Sequence, residues 1–440
     1  MRELVLAVLM LGATLGERPP PSESCPVGVY RLADGGIVDI DRSDGETLRW
    51  RRFDGATGSL APQADGRWIS SIGWTKRRDG NVVAFSRCDE GGIAFSGTPG
   101  SRIPLQVTNQ MFQGTGVQLA GRLVMPAGDQ AVPVVVLVHG AEQSSALDDY
   151  ALQRILPAVG VGVFVYDKRG TGRSKGQYTQ DFNLLADDAV AALQTARRLA
   201  GKRASRIGFQ GGSQGGWVVP LAAARTTADF VIVSFGLAVS VIDEDREAVA
   251  LEMRLKGHPP EDIAKALEIA DAAEAVMESG LTGGFERFDV VRARYRLEPW
   301  YRDVHGNFTH LLLPYTSAEL RERGAAYRFG TPFRYDPMPT LRALAVPQLW
   351  VLGADDLDAP SEETSRRLTT LIDAGRPITL AVYPGAEHGM TEYEAGPDGA
   401  RVSTRYAEGY FAMLRDFALS GSIHGSYGRA HITHRRGSEE

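Results

Sequence analysis

The sequence predicts an α/β fold: a mostly parallel sheet with helices on both faces, a small antiparallel β module before it, and a helical insertion within it. Three observations carry this. From residue 134 onward, continuous apolar runs alternate with stretches of helical period, the mark of buried parallel strands joined by crossover helices. Before residue 100 the apolar runs are short and are cut by Asp-Gly and Gly-Gly pairs, which mark hairpins. Between 237 and about 340 the strand–helix alternation stops and charged helical segments rich in aromatics take its place.

The chain has 440 residues, room for two or three domains at roughly 150 residues each. Hydrophobic residues at 43% and charged residues at 23% are those of an ordinary globular protein. Lys plus Arg is 48 and Asp plus Glu is 54, a net charge of −6. That balance argues against nucleic acid as a partner, which calls for a basic footprint. Glycine stands out, at 50 residues.

The first elements read as an export leader. Arg2 gives a weak positive start, residues 4–15 are mostly apolar, and Thr14-Leu15-Gly16 offers small residues at the −3 and −1 positions for cleavage. Glu3 runs against the charge pattern. The apolar run is too short for a stable span, no later stretch makes a convincing one, and the expected location is periplasmic or secreted. In an oxidising compartment Cys25 and Cys88, the chain's two cysteines, would pair. Two unrelated buried thiols are the alternative.

Next come the hairpins. Short runs at 27–30, 37–40, 47–53, 68–74 and 82–85 are separated by Asp34-Gly35-Gly36, Asp44-Gly45, Asp54-Gly55 and Asp79-Gly80. Nothing in them looks catalytic. The parallel strands follow at 134–138, 162–166, 207–210, 230–235, 348–352 and 378–383. Residues 181–200 carry apolar side chains at spacings of three and four, the period of an amphipathic helix. In the insertion, 244–277 reads as two helices broken at Gly257-His258-Pro259-Pro260. The aromatics that follow make the insertion a candidate lid. The chain thus divides into a leader (1–16), a β module (25–104), a first core part (105–236), a lid or cap (237–340), a second core part (341–420) and a flexible tail (421–440).

Chemistry concentrates at Gly211-Gly212-Ser213-Gln214-Gly215. This G-x-S-x-G follows a buried strand and precedes an apolar helix, the setting of a nucleophile elbow. Ser213 at the helix N-terminus would be a nucleophile, and the N–H of Gln214 one oxyanion donor. A serine needs a base held by an acid. His388, on the loop past the strand at 378–383, fits the base. His258, His305, His310, His424, His431 and His434 lie in lid or tail, and His139 directly follows a strand. The acid lies among Asp355, Asp356 and Asp358, on the exit loop of the preceding strand.

The order Ser213, acid, His388 resembles that of the α/β-hydrolase superfamily, over residues of about 110 to 420. Also similar are Leu119-Ala120-Gly121-Arg122-Leu123-Val124-Met125-Pro126, the strand ending at His139-Gly140, and Tyr166-Asp167-Lys168-Arg169-Gly170-Thr171-Gly172-Arg173-Ser174. The last resembles hydrolases close to the prolyl-oligopeptidase-like esterases. The resemblance implies an α/β-hydrolase core and selects Asp356, three residues after Gly353 and four before Pro360, as the acid. It implies Ala141 as the second oxyanion donor and His139 as a loop-shaping residue. Glu142-Gln143 departs from the small residues usual there, and an acid would oppose an oxyanion unless turned away.

The implied chemistry is acyl transfer through an acyl-serine, with no cofactor and no metal required. The expected activity is that of a carboxylesterase. A serine peptidase is the alternative, with Glu244-Asp245, Glu247 and Glu252 as possible amine ligands or simply a solvated helix face. A non-catalytic binding protein is a third reading. The expected partner is a small-molecule ester or short peptide.

Overall fold

The computed structural model describes residues 26–86, 91–396 and 399–434. The leader, Cys25 and Cys88 lie outside the described residues.

The first eight strands close into a barrel: β1 Gly28–Leu32, β2 Ile37–Arg42, β3 Leu48–Arg52, β4 Thr57–Pro62, β5 Trp68–Ile72, β6 Arg78–Phe85, β7 Gly92–Phe95 and β8 Thr98–Arg102. All neighbours are antiparallel, and β8 returns to β1. Closure removes the exposed edges that a five-strand module would leave. The five runs expected from sequence correspond to β1, β2, β3, β5 and β6. The other three are short or carry Gly and Pro inside (TGSLAP, GIAF, TPGSR), so their pattern is faint. Tyr30, Val38, Ile40, Trp50 and Leu60 fill the barrel core.

A nine-stranded sheet follows. Its strands are β9 Leu105–Gly114, β10 Val117–Pro126, β11 Val132–Val138, β12 Gly162–Tyr166, β13 Ala204–Gly212, β14 Val231–Ser234, β15 Gln348–Gly353, β16 Ile378–Tyr383 and β20 His431–His434. The spatial order is β20-β16-β15-β14-β13-β11-β12-β10-β9. The six central strands are parallel, whereas β10, β9 and β20 pair antiparallel at the two flanks.

In β11, Val134, Val136 and Val138 enter one apolar cluster, and Val135 and Leu137 enter the other. That two-residue alternation with both faces apolar is why the strand reads as a continuous run. Each such side chain contributes roughly 1.5–3 kcal/mol on burial. Helices α1 Phe182–Ala200, α2 Gly215–Arg225 and α6 Ser361–Asp373 cover the first face, and α7 Tyr410–Ser420 covers the second. Asp181 caps α1 by accepting from the N–H groups of Asn183 and Leu184.

The expected flexible tail is corrected by the structure for residues 421–434. β16 would be a bare sheet edge, and β20 pairs with it from His431↔Val382 to His434↔Thr379. Tyr427 is buried and donates to Asp416. Tail pairing of this kind is non-local and leaves little periodic trace.

Between β14 and β15 the chain forms α3 Val241–Leu255, α4 Pro260–Glu278, α5 Phe285–Tyr295 and shorter turns. The break falls at the predicted 257–260. Phe285, Phe288, Tyr295 and Trp300 pack into a core of the insertion's own. A three-stranded sheet, β17 Ala386–Glu387, β18 Thr391–Ala395 and β19 Arg401–Tyr406, sits just past β16 and meets the barrel. The barrel's Trp74 N–H donates to Ser403 O, and Tyr406 N–H donates to Gly55 O. Arg154 Nε lies 2.6 Å from Asp39 Oδ1, tying the core to a fully buried barrel carboxylate. Among the described residues no helix is long and apolar enough to cross a membrane.

Candidate active site

Ser213 stands between β13 and α2 with φ +52°, the left-handed region that L residues rarely adopt. The glycines around it are forced by proximity. A Cβ on Gly211 would lie 2.5 Å from Gly215 O, and one on Gly215 would lie 2.6 Å from Val138 O. The turn is pinned by Ser213 N–H to Ser234 O (3.1 Å) and Gly216 N–H to Ser213 O (2.7 Å). Gln214 is the residue immediately before α2.

His388 follows β17, and its Nδ1 lies 2.9 Å from Asp356 Oδ2. Asp356 is 1% exposed, and its Oδ1 accepts the N–H groups of Asp358 (2.9 Å) and Ala359 (2.8 Å). Among the three sequence candidates Asp356 is the one hydrogen-bonded to His388. Asp355 accepts the Tyr393 hydroxyl, and Asp358 accepts Asn307 through its backbone carbonyl. Burial alone would lower the His388 pKa, but the charge and hydrogen bond of Asp356, aided by Asp358 and Glu244, lift it to about 9. Ser213 and His388 line one trough of 3470 Å³ with Gln214, Ala141, Phe235 and Glu244. They are not hydrogen-bonded to each other here; such contacts are often long before substrate binds.

Phe235, with φ +43°, sets its ring against His388 at 4.9 Å between centroids. Sequence reasoning missed it: one aromatic after a buried strand has no distinguishing pattern.

Around Ala141 the structure answers the question raised by Glu142. Its carboxylate turns to Tyr150 OH (2.5 Å) and His139 Nδ1 (3.2 Å). Burial would raise the Glu142 pKa, but His139, Lys168 and Tyr150 hold it well below the usual carboxylate range. His139 is buried, its Nε2 accepts from Lys168 N–H at 2.9 Å, and its pKa is lowered by burial and by the Lys168 charge. It builds the loop. Among the described residues, no hydrogen bond within the protein occupies the N–H of Ala141 or of Gln214.

The charged face of α3 is not solvated as the sequence suggested. Asp245 is buried and accepts Phe308 N–H (2.7 Å), Thr309 N–H (3.1 Å) and the Thr309 hydroxyl (2.6 Å). Glu252 faces His305 at 3.4 Å. Glu247 is pushed up to about 8 by burial and by Glu363. Glu244 lines the trough, its pKa raised well above normal by burial. Of the insertion's aromatics, Phe308, Tyr327, Phe329 and Phe333 line the trough, with His305 and His310 stacked 4.0 Å apart beside them. Among the described residues no group of three or more His, Cys, Asp or Glu is arranged to hold a metal ion.

Residues 129–261 match the family of serine aminopeptidases S33. That segment runs from the approach to β11 through the elbow and into the insertion. The parallel sheet with a serine at its strand-to-helix turn has the α/β-hydrolase fold. No curated protein matches this chain by sequence. Among solved structures, it is similar to an esterase of Pyrococcus furiosus at 14% identity and TM-score 0.41, over 64% of this chain and 84% of that one. An acylaminoacyl peptidase of Pyrococcus horikoshii aligns at 13% and 0.44, over 90% of this chain and 57% of its own. Est1E of Butyrivibrio proteoclasticus, with ferulic acid bound, aligns at 19% and 0.38, over 63% and 90%.

Proposed function

We propose that the protein is a serine hydrolase that cleaves carboxylic esters through an acyl-serine. The observation that carries this reading is the His388–Asp356 pair on the same trough as Ser213, the serine held in a left-handed turn. His388 takes the Ser213 proton as the hydroxyl attacks the acyl carbon. Asp356 fixes the imidazole tautomer and stabilises its charged form. The N–H groups of Gln214 and Ala141 receive the oxyanion, each worth about 10²–10³ in kcat. His388 then returns the proton to the leaving alkoxide, and water repeats the cycle on the acyl-enzyme.

In this reading the insertion acts as a lid, because Phe308, Tyr327 and Phe333 reach the trough from it. The leader-like start supports an exported enzyme.

A peptidase is the second reading, and Glu244 favours it. Its carboxyl group lines the trough and has no side-chain hydrogen-bond partner among the described residues; burial favours its neutral form, and the charge of a substrate amine would draw it into the ionised one. The test compares p-nitrophenyl acetate and butyrate with aminoacyl-p-nitroanilides, in parent and Ser213→Ala. Faster turnover of the esters, lost in Ser213→Ala, supports the esterase. Faster anilide turnover reverses the ranking, and unchanged turnover in Ser213→Ala overturns the triad.

A further inference from the structure

The segment Tyr166-Asp167-Lys168-Arg169-Gly170-Thr171-Gly172-Arg173-Ser174 has a task that the triad leaves unexplained. Asp167 is fully buried and accepts Leu147 N–H (3.1 Å), the Ser145 hydroxyl (2.8 Å) and Arg173 N–H (2.7 Å). Arg169 grips Asp188 on α1 with Nε 2.7 Å from Oδ2. Lys168, 2% exposed, sits between these anchors. Its ammonium donates to Gly140 O and lies 4.8 Å from the centre of the Tyr178 ring.

Gly140 C=O and Ala141 N–H belong to one peptide group. That unit is planar and resonance-coupled, so a cation on its oxygen does two things to its N–H. It fixes the direction in which the N–H points, and it draws charge from the nitrogen so that the proton is a stronger donor. The neighbouring groups are held as well. Gly140 N–H reaches Tyr150 OH at 3.4 Å, and the Tyr178 hydroxyl donates to Ala141 O. Of the polar backbone groups of Gly140 and Ala141, the Ala141 N–H is left for substrate.

We propose that Lys168 is the positioning residue of the oxyanion hole, with its ammonium orienting and polarising the Gly140–Ala141 peptide and the Tyr178 hydroxyl completing the clamp. Lys168 touches no substrate atom. Its burial makes it sensitive: desolvation, opposed by Glu142, brings the amine down to about 8. A preorganised donor pays no reorganisation when charge develops, so the clamp should act on kcat rather than on substrate binding.

This inference rests on the hydrolase reading, and the experiment separates the two. Parent, Ser213→Ala, Lys168→Met and Tyr178→Phe are compared on p-nitrophenyl butyrate and on an alkyl trifluoromethyl ketone, which forms a tetrahedral oxyanion on the serine. Lys168→Met should lower kcat by about 10- to 100-fold with KM within about twofold, and weaken the ketone in parallel. Tyr178→Phe, which keeps the ring, should lower kcat by about fivefold in the same pattern. If Ser213→Ala turns over like the parent, the hydrolase reading fails. If Ser213→Ala is inactive while folded Lys168→Met keeps its kcat and ketone affinity, the clamp alone is overturned. Should Lys168→Met not fold, Tyr178→Phe decides: an unchanged kcat rejects the clamp.

Discussion

Nδ1 of His388 and Oδ2 of Asp356 stand 2.9 Å apart, and the second oxygen of Asp356 is held by two backbone N–H groups of its own loop. The acid is therefore fixed before any substrate arrives, and its direction is set by the turn that begins at Gly353. Asp356→Asn should keep this geometry yet favour the wrong imidazole tautomer. A fall in kcat on the order of 10⁴ is expected, with the far-ultraviolet spectrum unchanged. Retention of more than a tenth of the parental rate would assign the acid elsewhere.

The pH dependence follows from the same pair. A base must be neutral to accept a proton, and His388 is lifted to about 9. The rate of ester hydrolysis should therefore rise as pH increases from 6 through 8, instead of levelling off near the ordinary imidazole value. Above about 8, loss of the Lys168 proton opposes the gain, so the profile should bend over on the alkaline side. A pH–rate profile flat from 7 upward would contradict the raised pKa. In Asp356→Asn the residual acid limb should shift downward.

Ser213 combines function with strain. An L residue in the left-handed region costs roughly 1–2 kcal/mol, and glycine's greater unfolded-state freedom returns roughly 0.5–1 kcal/mol. Ser213→Gly should thus gain about 0.5–1 kcal/mol of stability while losing activity. The check is the urea midpoint of each protein beside its p-nitrophenyl butyrate rate.

At the junction of barrel and core, Arg154 faces Asp39 and Asp41, both buried. Arg51 reaches the same pair at 3.3 and 3.5 Å. Removing one cation leaves a buried carboxylate short of a counter-charge, at a cost of about 3–5 kcal/mol when none remains. With Arg51 still present, Arg154→Met should cost about 2–3 kcal/mol, read from chemical denaturation. A loss below 0.5 kcal/mol would mean that solvent reaches Asp39.

The core strands and the elbow were legible because their signals are local. A buried strand, two glycines at fixed spacing and an apolar helix all fall within 207–224. His388 was legible for the same reason, one loop beyond a strand. Choosing Asp356 over its neighbours needed family resemblance, since three carboxylates within four residues look alike on paper. β20 and the Lys168–Gly140 contact depend on partners 20 or more residues away, and no window of sequence contains both sides; β4, β7 and β8 are faint because they are short or carry Gly and Pro inside. Likewise Asp245 looked like one more charge on an exposed helix until Phe308 and Thr309 were found on it.

The barrel has a consequence beyond its own packing. Its contacts with β19 fall within twenty residues of His388, on the hairpin that carries the chain away from the catalytic loop. A shortened protein beginning at Leu105 would strip the cover from Tyr406, leave Arg154 facing no acid, and free a hairpin that now has support on both sides. Barrel and hydrolytic core are thus joined through the strand that follows His388, so removing the barrel would loosen that strand without touching Ser213, Asp356 or His388.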